Sequence, residues 1–157
     1  MIAILDNIRS ISNVGSIFRT ADAAGVKKIY LGGITPEPLD AFGRPSQPFI
    51  KVSLGAENTV AWEKAKSVSR LIDRLKKDGY KIIAVELTPK SVPYNKLNLR
   101  KNLDKVAFVF GNEVDGISES ILAKCDLVTE VPMAGMKESM NVAVTFGIVV
   151  FQVVYNS

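Results

Sequence analysis

Short continuous apolar runs alternate along the chain with apolar residues spaced three and four apart, and that alternation predicts the elements. Ile2-Ala3-Ile4-Leu5 reads as a buried strand. A polar connection, Asp6 to Ser12, leads to Asn13, a good helix cap. Val14, Ile17, Phe18, Ala21 and Ala24 then recur at helical spacing, and Gly25 supplies the stop. Lys27 to Leu31 is the second strand, ended by Gly32-Gly33. The segment Ile34 to Pro48 carries Pro36, Pro38, Gly43, Pro45 and Pro48, too many breakers for regular structure. Its length suggests a functional loop. Ile50 to Leu54 is expected as a short strand, and Gly55 to Trp62 as a turn or short helix. Ala65 to Gly79 is an amphipathic helix with Val68, Leu71, Ile72 and Leu75 inward and Lys64, Arg70, Arg74, Lys76 and Lys77 outward. Strands follow at Lys81 to Leu87, Val106 to Phe110 and Leu127 to Val131, with a short helix capped by Ser118 running through Ala123. Strands separated by helices predict an α/β domain with a mostly parallel sheet and right-handed crossovers.

The last apolar run, Val142 to Tyr155, is apolar nearly all round, relieved by Thr145, Gly147 and Gln152. A helix of that kind is buried on more than one face. Two readings stay open: an ordinary core helix with a polar cap, or a helix that also packs against a second subunit. The run is shorter than the roughly twenty residues a bilayer span needs. The segment before it turns at Pro132 and Gly135 and delivers Ser139 and Asn141 to the helix start, where backbone N–H groups lack partners.

Composition narrows the chemistry. A chain of 157 residues suits one domain, expected to span residues 1–157 without a separate extension. The net charge of +4 is compatible with a nucleic-acid partner. The sequence has no histidine, which excludes His-based acid/base catalysis and Ser-His triads. No Asp/Glu/His cluster points to a metal. The single cysteine, Cys125, cannot close an internal disulfide, which fits a reducing cytoplasm. It reads as a small buried residue rather than a nucleophile.

Ligands of parallel sheets bind beyond the carboxyl ends of the strands. Three strand ends lead into loops with Gly or Pro: Leu87-Thr88-Pro89, Gly111 to Gly116, and Val131 to Met140. One cleft lined by Leu87, Gly111, Glu113, Val131, Met133, Ser139 and Met140 would suit a small cofactor. Neither G-x-G-x-x-G after the first strand nor a P-loop occurs, so dinucleotide and P-loop nucleotide sites are disfavoured. Composition does not name the ligand. On the first helix, Arg19 lies one turn beyond Gly15, which offers either a bare patch beneath a guanidinium or a solvated arginine paired with Asp22. Arg44, in the breaker-rich loop, either meets a phosphate or is simply solvated.

Three segments carry a resemblance. Asn13-Val14-Gly15-Ser16-Ile17-Phe18-Arg19-Thr20, Phe110-Gly111-Asn112-Glu113-Val114-Asp115-Gly116, and Val131-Pro132-Met133 with Ser139-Met140-Asn141-Val142-Ala143-Val144 resemble, in order, the three motifs of the SpoU (TrmH-like) RNA ribose 2′-O-methyltransferases. Met140 and Ala143 are mild departures. The resemblance implies the SPOUT fold: a mostly parallel sheet flanked by helices, with a C-terminal trefoil knot. It implies S-adenosyl-L-methionine as cofactor, RNA as substrate with tRNA ahead of rRNA, and a homodimer through the first and C-terminal helices. Carried onto this chain, the catalytic set is Arg19, Asn13, Glu113, Ser139 and Asn141. The cofactor set is Leu87, Thr88, Gly111, Asn112, Gly116, Val131, Met133, Ser139 and Met140. No metal and no membrane are implied. The rival expectation is a knotted RNA- or cofactor-binding dimer without catalysis.

Overall fold

The computed structural model describes residues 1–99 and 102–156. The strands are β1 (Ile2–Asp6), β2 (Lys28–Gly32), β3 (Ala61–Ala65), β4 (Lys81–Val85), β5 (Val92–Pro93), β6 (Val106–Phe110) and β7 (Leu127–Glu130). The helices are α1 (Ile11–Ala23), α2 (Gln47–Ser53), α3 (Val68–Lys77), α4 (Glu119–Leu122) and α5 (Val142–Asn156). One sheet runs in the order β3-β2-β1-β6-β4-β7-β5, with every pairing parallel. The α/β expectation holds.

The strands β1, β4 and β6 are continuous apolar runs because both sheet faces are covered. Ala3, Leu5, Ile83, Val85, Phe108 and Phe110 point to the face packed by α1, α2 and α5. Ile2, Ile4, Ile82, Ala84, Ala107 and Val109 point to the face packed by α3 and α4. On the first face Phe18 of α1 meets Phe49 of α2 edge-on, with ring centroids 5.2 Å apart. Phe146 of α5 sits against Phe110 at the end of β6, centroids 5.0 Å apart.

Several sequence expectations change. Residues 50 to 54 belong to helix α2 and the turn after it, not to a strand. A short apolar run does not distinguish the two by itself. Here Pro48 stands in the first turn and Phe49 anchors the helix in the core. Strand β3 was not expected: its sequence, Ala-Trp-Glu-Lys-Ala, is that of a half-covered edge, and Glu63 pairs with Lys28 (2.6 Å) and Arg74 (3.1 Å). Lys64 therefore lies on this strand rather than on α3. The two-residue β5 was also missed. Ser10, not Asn13, caps α1, accepting from the Asn13 N–H at 3.2 Å. Gly15 is no bare patch, since a Cβ there would lie 2.8 Å from Cβ of Val52, so the residue lets α1 and α2 pack closely.

Phe49 is fully buried on the shared face. Its replacement by alanine is expected to lower unfolding free energy by about 3–5 kcal/mol. Urea denaturation of the purified variant checks this; a shift below about 1 kcal/mol would mean that α2 is not held by this contact.

Candidate active site

A cleft of about 550 Å³ opens at the carboxyl ends of β4, β6 and β7. That volume lies in the range of small-molecule sites. Its lining joins the segments that follow those strands: Leu87, Gly111 to Gly116, Val131, Met133 and Ser139 to Asn141. All of the expected cofactor residues line it except Thr88. Thr88 instead closes its own turn, its carbonyl accepting from the Ser91 hydroxyl at 2.6 Å.

The turn after β6 is shaped by close approach. A Cβ on Gly111 would lie 2.4 Å from the carbonyl carbon of Gly116 and 2.6 Å from the Ile117 nitrogen, so the turn folds back closely on its own start. Gly116 has φ +65, a conformation that glycine adopts at no steric cost. Asn112 spends its side-chain oxygen inside this turn, accepting from the N–H groups of Val114 and Asp115, both at 2.8 Å. Glu86, just beyond β4, clamps it from the side by accepting from Ile117 N–H at 3.0 Å. Backbone edges rather than long side chains therefore face much of the cleft.

At its rim, residues from the three motif segments join. Because Ser10 caps α1, the Asn13 side chain is free. It donates to Glu113 Oε1 at 2.8 Å and accepts from Asn141 Nδ2 at 3.0 Å. Glu113 Oε2 accepts from the Arg9 N–H at 3.3 Å. The Asn141 oxygen accepts from the N–H groups of Ala143 (2.9 Å) and Val144 (3.3 Å), capping α5. Arg9 also pairs with Asp115 at 3.6 Å. Partial burial raises the Glu113 pKa, but hydrogen bonds from Asn13 and nearby backbone N–H groups outweigh it, and the carboxyl sits below the ordinary glutamate value. Glu113 is thus held ionised, as a brace.

Ser139 lines the cleft, and its hydroxyl has no hydrogen-bond partner among the described residues. Arg19 does not line the cleft of its own chain. It is exposed on α1, and its guanidinium makes no hydrogen bond or ion pair among the described residues. Asp22 instead accepts from the Thr59 hydroxyl at 2.6 Å. Sequence reasoning missed Glu86, Asp115, Glu130 and Glu138, which with Glu113 give the cleft several carboxylates. Such a lining favours a ligand that carries positive charge. The signal lay in acidic residues near the ends of the strand-like runs, Glu86 directly after Val85 and Glu130 after Thr129. Cys125 is half-buried, and its thiol pKa is pushed up to about 11, chiefly by burial, which leaves it unreactive. Among the described residues, no group of His, Cys, Asp and Glu could hold a metal ion, and no helix is long and apolar enough to cross a membrane.

Known proteins resemble the chain in sequence and in fold. The profile of the SpoU rRNA methylase family matches residues 1–151. A tRNA (guanosine(18)-2′-O)-methyltransferase of Borreliella burgdorferi is 38% identical over 100 residues, covering 64% of this chain and 44% of the relative. A 23S rRNA (guanosine-2′-O-)-methyltransferase of Neisseria meningitidis is 35% identical over 149 residues, 95% of this chain and 56% of the relative. The chain thus spans about half the length of these curated relatives. The crystal structure of an AdoMet-bound rRNA methyltransferase from Sinorhizobium meliloti superposes with a TM-score of 0.85 at 28% identity, over 96% of this chain and 54% of that one.

Two measurements test the site as built. Asn13→Ala removes the side-chain donor that holds the Glu113 carboxylate, so its pKa should rise toward the ordinary glutamate value. A carboxyl-carbon NMR titration reads this, and an unmoved pKa would separate Asn13 from the brace. The sign for stability follows: a lowered carboxyl pKa stabilises the fold above the unfolded-chain value, and that contribution is lost as pH falls through the lowered one. Gly111→Ala should cost about 1–3 kcal/mol, because the added methyl meets backbone that cannot rotate away; denaturant titration checks it.

Proposed function

The chain belongs to the SpoU rRNA methylase family, and from that premise we propose that it transfers a methyl group from S-adenosyl-L-methionine to a ribose 2′-hydroxyl of RNA. The observation that carries the reading is the Glu113–Asn13–Asn141 hydrogen-bonded chain at the rim of a carboxylate-bearing cleft. The cofactor fits this cleft on physical grounds: the volume suffices, Gly111 leaves backbone within reach, and acidic groups suit a cation. Bound there, S-adenosyl-L-methionine supplies a methyl on a positively charged sulfur. Leu87, Gly111, Gly116, Val131, Met133 and Met140 would hold it.

The chain's own residues position the ribose. Arg19 keeps its proton, since guanidinium is not deprotonated in proteins. Its planar fork suits the phosphate next to the reacting sugar and stabilises the developing oxyanion. Glu113, held below the ordinary carboxyl pKa, is a poor general base. The hydroxyl proton therefore goes to the phosphate or to water. Ser139, whose hydroxyl has no hydrogen-bond partner among the described residues, offers it to the ribose, and Asn141 orders the rim. Positioning of this kind accounts for a large share of such a rate.

Since Arg19 lies outside the cleft of its own chain, it acts across a homodimer through α1 and α5. The row of Val144, Phe151 and Tyr155 exposed along α5 supports that pairing. The C-terminal trefoil knot and a cytoplasmic location belong to the same reading. Transfer RNA is the first substrate class, in line with the Borreliella relative. Ribosomal RNA is the second, favoured by the Neisseria relative, which the chain matches over a longer stretch.

The test is transfer of tritiated methyl from S-adenosyl-L-methionine to bulk tRNA and rRNA, followed by nucleoside analysis. Label in 2′-O-methyl nucleosides is expected; label confined to bases would overturn the reading. Arg19→Lys keeps the charge and loses the fork. Turnover should fall by about 10²-fold or more, with cofactor affinity by calorimetry unchanged. Near-normal turnover in that variant would remove Arg19 from the mechanism.

A further inference from the structure

The breaker-rich segment after β2 is built rather than loose. Leu39 and Pro45 form an antiparallel bridge. Asp40 organises the turn between them: its carboxylate accepts from the N–H of Phe42 (2.8 Å) and of Arg44 (2.9 Å), and its own N–H donates to the Arg44 carbonyl at 2.7 Å. Gly43 takes φ +74, which closes the turn. Below it, Ser46 N–H donates to the Pro38 carbonyl at 2.8 Å.

This turn displays two side chains. Phe42 is 82% exposed, a large apolar ring offered to water. Arg44 lies over one face of that ring, 4.9 Å from guanidinium carbon to centroid, and its Nε and Nη2 both reach Asp40 Oδ2 at 2.9 Å. Asp40 thus fixes the guanidinium without covering it, and the Arg44 side chain stays 69% exposed. The second face of the Phe42 ring and the outer N–H groups of Arg44 remain open. An ordered aromatic face beside a fixed guanidinium edge matches the two parts of an unstacked nucleotide, base and phosphate.

The position agrees. The segment leaves the carboxyl end of β2, and β1 alone separates β2 from β6, which leads into the Gly111 turn. Two strand spacings, about 10 Å, separate the carboxyl ends of β2 and β6, so the segment that carries the turn starts from the same edge of the sheet as the cleft. The loop between, after β1, is the one whose Arg9 joins Glu113 and Asp115.

We propose that the Leu39–Pro45 turn is a docking platform for one unstacked nucleotide of the RNA substrate, its base stacked on the open face of Phe42 and its phosphate held by Arg44. This rests on the RNA-methylating reading above. Stacking tolerates any base, so the platform adds affinity and registers the strand without choosing sequence.

The experiment compares wild type, Phe42→Ala, Phe42→Trp and Arg44→Ala. Fluorescence anisotropy follows fluorescein-labelled bulk tRNA and fragmented rRNA across a salt series; methyl transfer and cofactor calorimetry run in parallel. Phe42→Ala should raise the RNA Kd by about 5- to 100-fold and raise KM for RNA, leaving kcat and cofactor affinity near wild type. Phe42→Trp should restore binding. Arg44→Ala should weaken binding and lower the slope of log K against log salt by about one. Thermal melting of Phe42→Ala should match wild type, since the ring is 82% exposed and buries little on folding. Wild-type RNA affinity in both alanine variants would overturn the platform while leaving the methyltransferase reading in place. A wild-type chain that binds neither RNA overturns both. Loss of the dimer in Phe42→Ala by sedimentation would assign the ring to a second copy instead and overturn the proposal.

Discussion

One hydrogen-bonded link holds the candidate site together: Asn13 between Glu113 and Asn141. Its partners are 100 and 128 residues away in the chain. Each side chain arrives on a different device. Asn13 is carried by the first turn of α1, Glu113 by a turn folded back on Gly111 and Gly116, and Asn141 by the cap of α5. Because Asn141 spends its oxygen on the helix N–H groups and its nitrogen on Asn13, helix capping and site assembly are a single arrangement. Phe146, one turn into the same helix, fixes α5 against Phe110 at the end of β6. The apolar core thereby sets where the polar rim can form.

That dependence explains what could be read from the sequence. The central strands were legible because burial on both faces leaves a continuous apolar signature, as in Ile82 to Val85 and Val106 to Phe110. Helix α3 was legible because only one side of it is covered, and its buried residues are the expected Val68, Leu71, Ile72 and Leu75. Sheet edges were not. Strand β3 is held by backbone pairing and by the ion pairs of Glu63, neither of which leaves an apolar period. Helix α2 was misread because its packing depends on Gly15 and Phe18, distant residues that open a space for Val52 and Phe49.

The site was legible in a different way. The cleft residues after β6 and β7 were placed from the rule that ligands sit beyond strand carboxyl ends, and they line one cavity. Local pattern marked Asn13 as a cap, and only the resemblance put it in the catalytic set. Ser10 does the capping, and that small shift frees the Asn13 side chain to reach Glu113. No local pattern separates the two candidates, since both residue types cap well. Glu86 was overlooked for a similar reason: a carboxylate after a strand is ordinary until a turn 31 residues away is found resting on it.

The distribution of charge ties these points to chemistry. The cleft gathers carboxylates in a chain whose net charge is positive, so the basic residues lie elsewhere on the surface. A cation is favoured inside the cleft and a polyanion outside it. Within the cleft the carboxylates are mostly committed: Glu86 to Ile117, Glu113 to Asn13 and Arg9, Asp115 to Arg9, and Glu130 to Ser91. Carboxylates tied down in this way supply a fixed field. Under the proposed methyl transfer, a site so arranged would work by holding charges and atoms in place, the form of catalysis open to a chain that has no histidine and whose only cysteine is kept protonated by burial.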